Sequence, residues 1–392
     1  MTIHRVLSVV TPLGWLVCVG SLAGWASGAA LGWIELHYAA ALGLLAFALC
    51  CLFAVGRTSL RVSVDVASRR LVAGGRTSAT VQIANTARQR LLPMALEVPV
   101  GPAIERFDVP GLAGGAERTE RFTVVAARRG VIPIGPATTV RGDPLGLLRR
   151  IVAWPGVQEL FVHPTTIALP PLGSGLLRDL EGRSSNDISM SDLAFHTLRE
   201  YVPGDDRRYI HWRSSAKVGS AVPGGRFLVR QFLDTRRTHL LVIVDGDATA
   251  YPDPEHFEIA ISAGASIAVR ALQDELDTTV LIAGHVAHEA TEHRVLDTCA
   301  RAELGSTRLA ELVARGLRIA PETTTALVVT GAAPAFADVR RACAQVPPEL
   351  RTLALRVDPA APAGITVGTS LSVLTMRELA DLRPLLGRRA EL

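Results

Sequence analysis

The sequence predicts a chain of three structured parts: a transmembrane helical hairpin, a small immunoglobulin-like β-sandwich, and an α/β domain built on a doubly wound parallel sheet. Three observations predict this order. An apolar stretch near the amino terminus is long enough for two membrane-spanning helices, short alternating strands follow it, and the last part of the chain alternates strand with helix. The 392 residues also exceed one ordinary core, since a domain usually takes about 100 to 200 residues.

The hairpin is assigned to residues 1–58. Nearly every residue of this stretch from Val6 onward is apolar or small, which suits two helices of about 20 residues each. We expect the helices at about residues 6–24 and 37–55. Glu35 then falls in the connecting turn, where a carboxylate can reach water.

Charge predicts the orientation of the hairpin. The connecting turn has no Lys or Arg, and the cationic residues lie outside the two spans: His4, Arg5, Arg57, Arg61, Arg69 and Arg70. Positive residues favour the cytoplasmic side, so we expect a two-pass protein of the cell membrane with both termini in the cytoplasm. The alternative is a cleavable signal peptide ending near residues 26–30, which would leave the second span as an anchor.

Glycines recur at every fourth position, at Gly20, Gly24, Gly28 and Gly32. This small-xxx-small spacing lets membrane helices approach closely, so it suits the other helix of the hairpin or a second copy of the chain. A glycine-rich turn over residues 24–32, or chance spacing, would explain the pattern equally well.

Composition excludes some classes of function. The net charge is only +4 and the basic residues are dispersed, which gives no support for nucleic-acid binding. Cys299 and Cys343, the cysteines outside the predicted spans, show no disulfide framework or metal spacing. A reducing compartment is the simpler interpretation.

Residues 59–164 alternate apolar and polar in short runs between Gly, Asn and Pro. The runs are RVSVDVA, SATVQIAN, MALEVPV, RFTVVAA and LLRRIVAW. Strands of this length and spacing predict the β-sandwich, a fold that usually binds or holds other molecules. Residues 165–237 then contain a linker rich in Pro, Gly and Ser, followed by a chemically dense segment.

Residues 238–392 read as strand, helix, strand, helix. The predicted strands are HLLVIVD, TTVLIAG, TALVVTG and RTLALRV, and the predicted helices lie near residues 254–275, 307–316, 335–344 and 376–386. This alternation predicts a parallel sheet with helices on both faces. A site is expected at the carboxyl ends of the strands, near Asp245, Gly284 and Thr330.

The dense segment reads REYVPGDDRRYIHWRSSAK, from Arg199 to Lys217. Its candidate functional residues are Arg199, Glu200, Tyr201, Gly204, Asp205, Asp206, Arg207, Arg208, His211, Trp212, Arg213, Ser215 and Lys217. One interpretation is a docking surface or an active centre, in which His211 titrates and Ser214 or Ser215 is a nucleophile. The other, which the large rings favour, is a buried charge clamp covered by Trp212 and Tyr201 where two domains meet.

Several motifs of this chain come in a characteristic order. They are Arg128-Arg129-Gly130, Asp143-Pro144-Leu145-Gly146-Leu147, Val162-His163-Pro164, the dense segment, and LVRQF at 228–232. In this order the chain resembles, over nearly all its length, the bacterial membrane-anchored family called domain of unknown function 58. The dense segment carries most of the resemblance.

The resemblance implies a von Willebrand factor A-like fold for the carboxyl-terminal domain. It also implies an adaptor or assembly role beside an AAA+ ATPase of the MoxR class, and it implies no reaction.

Von Willebrand factor A domains hold Mg²⁺ in an adhesion site made of an Asp-x-Ser-x-Ser loop, a Thr and a final Asp. Here the first loop reads Asp245-Gly246-Asp247-Ala248-Thr249, Thr307 matches the Thr, and Gly331 replaces the last Asp. The tentative ligands in this degenerate site are Asp245, Asp247, Thr249 and Thr307. Hard oxygen ligands suit Mg²⁺, but Asp245 and Asp247 could equally cap the following loop and helix.

No catalytic motif is recognisable. The chain has no Gly-x-Ser-x-Gly elbow, phosphate loop or His-Glu-x-x-His pair, and His285, His288 and His293 match no zinc spacing and are read as solvated. We therefore expect a membrane-anchored cytoplasmic adaptor without enzymatic activity. The alternatives are a divalent-cation-dependent binding module and, third, a hydrolase acting through His211 and Ser214.

Overall fold

A computed structural model describes the chain as two compact units, Met1–Thr165 and Thr166–Leu392. The described residues are 9–54, 60–172, 193–202, 207–219, 227–234, 238–367 and 371–387.

The first unit begins with two apolar helices, α1 (Pro12–Leu31) and α2 (Ile34–Ala54), which confirms the predicted helix pair. Both are long and apolar enough to cross a membrane. The Thr11 hydroxyl caps α1 by accepting from the Gly14 N–H at 3.0 Å, and Pro12 takes the first helical position, where no N–H is needed. Gly32 ends α1 with a left-handed φ of +69°.

The predicted bounds of the two spans differ from the observed ones. The first helix runs on past residue 24 to Leu31, and α2 begins at Ile34, so Glu35 lies inside it rather than in the connecting turn. Glycine lowers helix propensity by only about 1 kcal/mol, so the apolar neighbours keep residues 24–31 helical. The glycine-rich turn is therefore wrong, and the reversal occurs at Gly32.

Gly24 and Gly28 lie where α1 meets α2. A Cβ added at Gly28 would stand 2.8 Å from His37 Nδ1, and one at Gly24 would stand 3.8 Å from the Ala40 Cβ. A Cβ at Gly20 would meet nothing within 4 Å. Gly24 and Gly28 therefore allow α1 and α2 to pack closely against each other.

The rest of the first unit is β-structure in two sheets. One sheet has the order β1-β3-β6, and the other has the order β2-β10-β7-β4-β8-β9 with β5 paired to β4. Their bounds are β1 Leu60–Val66, β2 Arg70–Val72, β3 Arg76–Asn85, β4 Met94–Val100, β5 Ala103–Val109, β6 Glu117–Val125, β7 Gly130–Ile134, β8 Thr138–Gly142, β9 Arg149–Ala153 and β10 Gln158–His163. Val81 and Ile83 of the first sheet share a buried core with Leu96 and Leu160 of the second. The immunoglobulin-like topology stays a prediction.

The second unit contains a seven-stranded mixed sheet in the order β15-β14-β13-β16-β17-β19-β18. Five neighbouring strands, β14-β13-β16-β17-β19, are parallel, which confirms the predicted α/β class with parallel strands. The bounds are β13 His239–Val244, β14 Asp277–Ile282, β15 His285–Ala287, β16 Thr325–Thr330, β17 Arg351–Val357, β18 Gly364–Val367 and β19 Ser372–Met376.

Helices cover both faces of this sheet. Val242 and Val244 face one buried cluster, whereas Leu241 and Ile243 face another, because successive side chains of a strand point to opposite faces. The helices are α4 Pro254–Gln273, α5 Glu292–Arg301, α6 Leu309–Ile319, α7 Phe336–Cys343 and α8 Leu382–Gly387. The sequence did not predict α5. It predicted that the last helix begins near residue 376, whereas Met376 ends β19.

The dense segment lies in a small sub-structure of the second unit. Strands β11 (Leu193–Glu200) and β12 (Leu228–Asp234) pair antiparallel. Between them come a 3-10 turn at Arg207–Tyr209 and the short helix α3 (Trp212–Gly219).

Candidate functional site

The dense segment is fastened to the start of β12 by backbone hydrogen bonds. The Tyr201 N–H donates to the Phe227 carbonyl at 2.8 Å, and the His211 N–H donates to the Leu228 carbonyl at 2.7 Å. Ile210 also forms a bridge with Val229. The backbone positions of Tyr201 and His211 are therefore fixed relative to one strand.

The polar side chains His211 and Ser215 serve this local structure. His211 Nδ1 accepts from the Ser214 backbone N–H at 3.2 Å and so caps the first turn of α3. Ser215 is 5% exposed, and its hydroxyl accepts from the Leu228 N–H at 2.8 Å. The hydrolase alternative needs the Ser214 hydroxyl against His211, whereas the observed contact is to the Ser214 backbone.

Three large apolar side chains of this sub-structure face outward, whereas Ile210 is buried. Trp212 is 62% exposed, Val202 56% and Phe227 48%. The Trp212 and Phe227 rings meet edge to face with centroids 5.7 Å apart, and Tyr201 lies against Phe227 at 6.5 Å. We call Tyr201, Val202, Trp212 and Phe227 the aromatic patch. The clamp interpretation required Trp212 to be covered, and its exposure corrects that expectation.

Charged residues accompany the aromatic patch. Five charged members of the segment are exposed and lie near the patch in sequence: Glu200, Arg207, Arg208, Arg213 and Lys217. Gly204, Asp205 and Asp206 lie outside the described residues, as does the side chain of Arg199. Four of the five described charges are cations, and we call these four the basic rim.

The predicted adhesion-like site lies at the carboxyl edge of the sheet. Asp245 follows β13 and is 1% exposed. Its carboxylate accepts from the Thr330 hydroxyl at 2.8 Å and from the Asp247 N–H at 3.0 Å. Both carboxylate oxygens of Asp245 are thus occupied by protein donors.

The other tentative ligands form local caps. Asp247 Oδ1 accepts from the Thr249 N–H at 2.9 Å and from the Thr249 hydroxyl at 2.7 Å. Gly305 pairs with the same loop, since its N–H donates to the Gly246 carbonyl at 2.7 Å, and Thr307 is exposed two residues later. The geometry agrees with the capping interpretation of Asp245 and Asp247.

Gly331 stands where the adhesion site has its last aspartate. A Cβ at Gly331 would lie 2.1 Å from the Ala250 carbonyl oxygen, so an aspartate there would require the backbone to move. Among the described residues no three His, Cys, Asp or Glu side chains group as metal ligands. The close approach of Ala250 therefore explains why glycine fits at residue 331.

Burial changes the acidity of Asp245. Burial raises the pKa of this carboxyl to about 6, although the hydrogen bonds from Asp247 and Thr330 pull it down. The carboxyl thus changes charge in the pH range between 5 and 7. The buried Tyr251 hydroxyl donates to the Asp245 backbone carbonyl at 2.8 Å and so holds the backbone beside this carboxyl.

A series of hydrogen-bonded side chains in the α/β unit was not predicted from the sequence. At the opposite edge of the sheet, His239 Nε2 lies 3.0 Å from the Thr279 hydroxyl, which lies 2.8 Å from His288 Nδ1. Glu322 stands 3.3 Å from His239 Nδ1. His288 is therefore hydrogen-bonded rather than solvated, and the pairing of β14 with β13 and with β15 brings these partners together.

The Asp143-Pro144-Leu145-Gly146-Leu147 motif connects the helix pair to the β-sheets. We call residues Asp143–Leu148 the anchor loop. The Thr11 N–H donates to the Leu147 carbonyl at 2.9 Å, and the Arg149 N–H donates to the Val9 carbonyl at 2.7 Å. The Thr11 hydroxyl, which caps α1, also contacts the Gly146 carbonyl at 2.8 Å. The start of α1 is therefore paired to the loop like a short strand.

The anchor loop also contacts the end of α2. Leu147 and Leu148 form a buried cluster with Cys50, with Phe47 packed against it. Burial acts to raise the pKa of Asp143, but hydrogen bonds from the Cys50 thiol and from the N–H groups of the loop outweigh it, so the pKa lies below its usual value. An ionised Asp143 thus organises the loop and joins it to the end of α2.

Comparisons with known proteins assign no family. No family model and no curated protein matches the chain. Among solved structures, the crystal structure of a CARDB domain from Pyrococcus furiosus is 15% identical, covers 26% of this chain and 86% of its own, and has a TM-score of 0.21. The carboxyl-terminal domain of wzt is 12% identical over 29% of this chain and 87% of its own, with a TM-score of 0.18.

We predict that Gly14→Val loosens the helix pair from the anchor loop. A Cβ at Gly14 would stand 2.2 Å from the Leu147 carbonyl oxygen, so the substitution should destabilise the detergent-solubilised protein by about 1 to 3 kcal/mol. Thermal unfolding measures the effect. Gly20→Val is the matched control, since it adds the same side chain to α1 in open space. An equal loss of stability in both variants would contradict the contact between α1 and the anchor loop.

We predict that Asp245→Asn stabilises the protein above pH 6. The folded pKa of about 6 lies above the unfolded value of 3.8, so folding favours the protonated form and the ionised form costs up to about 3 kcal/mol. Asparagine removes that cost, because its oxygen can keep the hydrogen bond from the Asp247 N–H while its NH2 group donates to the Thr330 hydroxyl. The gain should be full near pH 8, shrink as the pH falls through 6, and vanish near pH 4.

Thermal unfolding of the full chain at pH 4.5, 6 and 8 measures this gain. Asp338→Asn is the control, because Asp338 is an exposed carboxylate paired with Arg341. A gain that does not depend on pH would contradict the assignment to Asp245.

Proposed function

We propose that this chain is a membrane-anchored cytoplasmic adaptor that binds a protein partner through the aromatic patch. Its resemblance to the domain of unknown function 58 family favours a MoxR-type AAA+ ATPase as the partner. The observation that carries the proposal is the exposure of Trp212, Val202 and Phe227 on a backbone that is held in place. Large apolar side chains grouped at a surface and rimmed by polar residues mark interaction sites.

The helix pair supports the membrane anchor. A helix of 20 residues is about 30 Å long, which matches the hydrocarbon core of a bilayer. Leu16 of α1 and Leu42 and Leu52 of α2 are each at least 68% exposed. Apolar side chains exposed on all sides of a helix suit lipid, because water would penalise them.

The charge asymmetry of the sequence supports the cytoplasmic side for the remainder of the chain. On that side the AAA+ partner has access to the aromatic patch. The basic rim of Arg207, Arg208, Arg213 and Lys217 suits a partner surface that carries carboxylates around an apolar contact. Tryptophan is also the residue type most often found at the energetic centre of an interface.

The α/β unit supports a von Willebrand factor A-like assignment through its parallel strands and its helices on both faces. The carboxyl edge of its sheet does not favour the cation-dependent alternative. Asp245 and Asp247 are engaged by protein donors, and Gly331 leaves no room for a third carboxylate. We therefore assign partner binding to the aromatic patch rather than to a bound cation.

We predict that Trp212→Ala weakens recovery of the AAA+ partner by tenfold or more, since loss of a central interface tryptophan costs about 2 kcal/mol or more. The measurement is affinity purification of full-length protein from gently solubilised membranes, with partners quantified by mass spectrometry. Phe336→Ala is the matched control, because Phe336 is an aromatic side chain of the α/β unit that is 45% exposed.

Each result has a distinct meaning. Recovery with wild type and with Phe336→Ala but not with Trp212→Ala supports the proposal. Equal recovery with all three would move docking away from the aromatic patch, and no AAA+ ATPase with wild type would contradict the adaptor function.

A further inference from the structure

An open cavity of about 570 Å³ lies beside the anchor loop. Thr11, Gly146 and Leu148 line one side of it, so the cavity borders the first turn of α1. The same loop contacts the end of α2. If the helix pair spans a membrane, a cavity at this position lies at the level of the lipid headgroups on the β-sheet side.

The floor of the cavity is apolar. Ala95 and Val140 pair across β4 and β8 and lie on the same sheet face as Asp108, and they line the cavity together with the buried side chain of Leu148. A floor of this kind binds hydrocarbon or a glycerol backbone better than it binds a hydrated ion.

Two arginines stand at the walls of the cavity. Arg106 lies on β5 and Arg149 begins β9, with 64% and 54% of their side chains exposed. Both face Glu97, at 4.0 Å and 3.8 Å, and neither distance is a hydrogen bond. One carboxylate thus stands between two guanidinium groups, which can turn their donors toward a phosphate in the cavity.

A carboxylate completes the lining. Asp108 lies two residues after Arg106 on β5, so both side chains point to the same face of the strand, and both line the cavity. Cationic and anionic groups therefore occur together along one wall, next to an apolar floor. This arrangement matches a zwitterion better than a simple anion.

We propose that this cavity binds an aminophospholipid of the phosphatidylethanolamine class. The phosphate takes the donors of Arg106 and Arg149 that do not face Glu97, the ammonium group faces Asp108, and the glycerol backbone covers the floor of Ala95, Val140 and Leu148. The proposal rests on the membrane anchor of the proposed function, since that anchor brings lipid to the cavity. The bound lipid would join the start of α1, the anchor loop and β5.

The test uses full-length protein in detergent micelles and follows thermal unfolding as dioleoyl lipids with ethanolamine, choline or glycerol headgroups are added. The ethanolamine lipid should raise the unfolding temperature most, because its ammonium N–H groups can donate to Asp108 while choline has none. Soluble glycerophosphoethanolamine should have little effect, since it lacks the acyl chains that reach the apolar floor.

Two variants report on the contacts. Arg106→Ala with Arg149→Ala should weaken lipid binding by about tenfold per arginine, the usual value of a charge-assisted hydrogen bond. Asp108→Asn should keep lipid binding but lose the preference for ethanolamine over choline. Arg118→Ala is the control, because Arg118 pairs with Glu120 on β6 and does not line the cavity.

Three results would overturn the inference. These are equal stabilisation by all three lipids, equal stabilisation by the soluble headgroup, and an unchanged response in the double arginine variant whose lipid-free unfolding temperature matches wild type. Membrane fractionation separates this failure from that of the anchor. A chain found in the soluble fraction contradicts the anchor, whereas an anchored chain without lipid preference contradicts only the cavity's ligand.

Discussion

The contact between the anchor loop and the two helix ends determines how the first unit is built. Backbone pairing of Val9 and Thr11 with residues 147–149 fixes the start of α1, and the cluster around Leu147, Leu148 and Cys50 fixes the end of α2. Gly14 permits the approach because any side chain there would collide with the loop. The position of the cavity follows from this contact, since the loop forms one of its sides.

The coarse architecture could be predicted from local pattern. Two apolar stretches predict the helix pair, and the continuous apolar runs of β13, β14 and β16 predict strands covered on both faces. The bounds of α1 were not predictable in the same way, because glycines that usually break helices are tolerated where they face a neighbouring helix such as α2.

The candidate sites are formed by residues that are distant in sequence, so local pattern alone did not predict their contacts. The large rings of the dense segment suggested burial, yet Trp212 is exposed. Hydropathy does not determine which apolar residues of a protein remain at its surface. The collision of residue 331 with Ala250 and the pairing of Glu97 with Arg106 both require the folded register. Of the adhesion-like site, the sequence predicted the Asp caps but not the contact with Thr330.

If the two helices span a bilayer, as proposed, the attachment of both helix ends to a single loop links the orientation of the β-sheets to the thickness of that bilayer. A helix that is longer than the local hydrocarbon layer usually adjusts by tilting. Here α1 cannot tilt freely, because the Thr11 and Gly14 contacts tie its first turn to the loop. Under the proposed anchoring, hydrophobic mismatch would therefore rotate the β-sheets together with the helices.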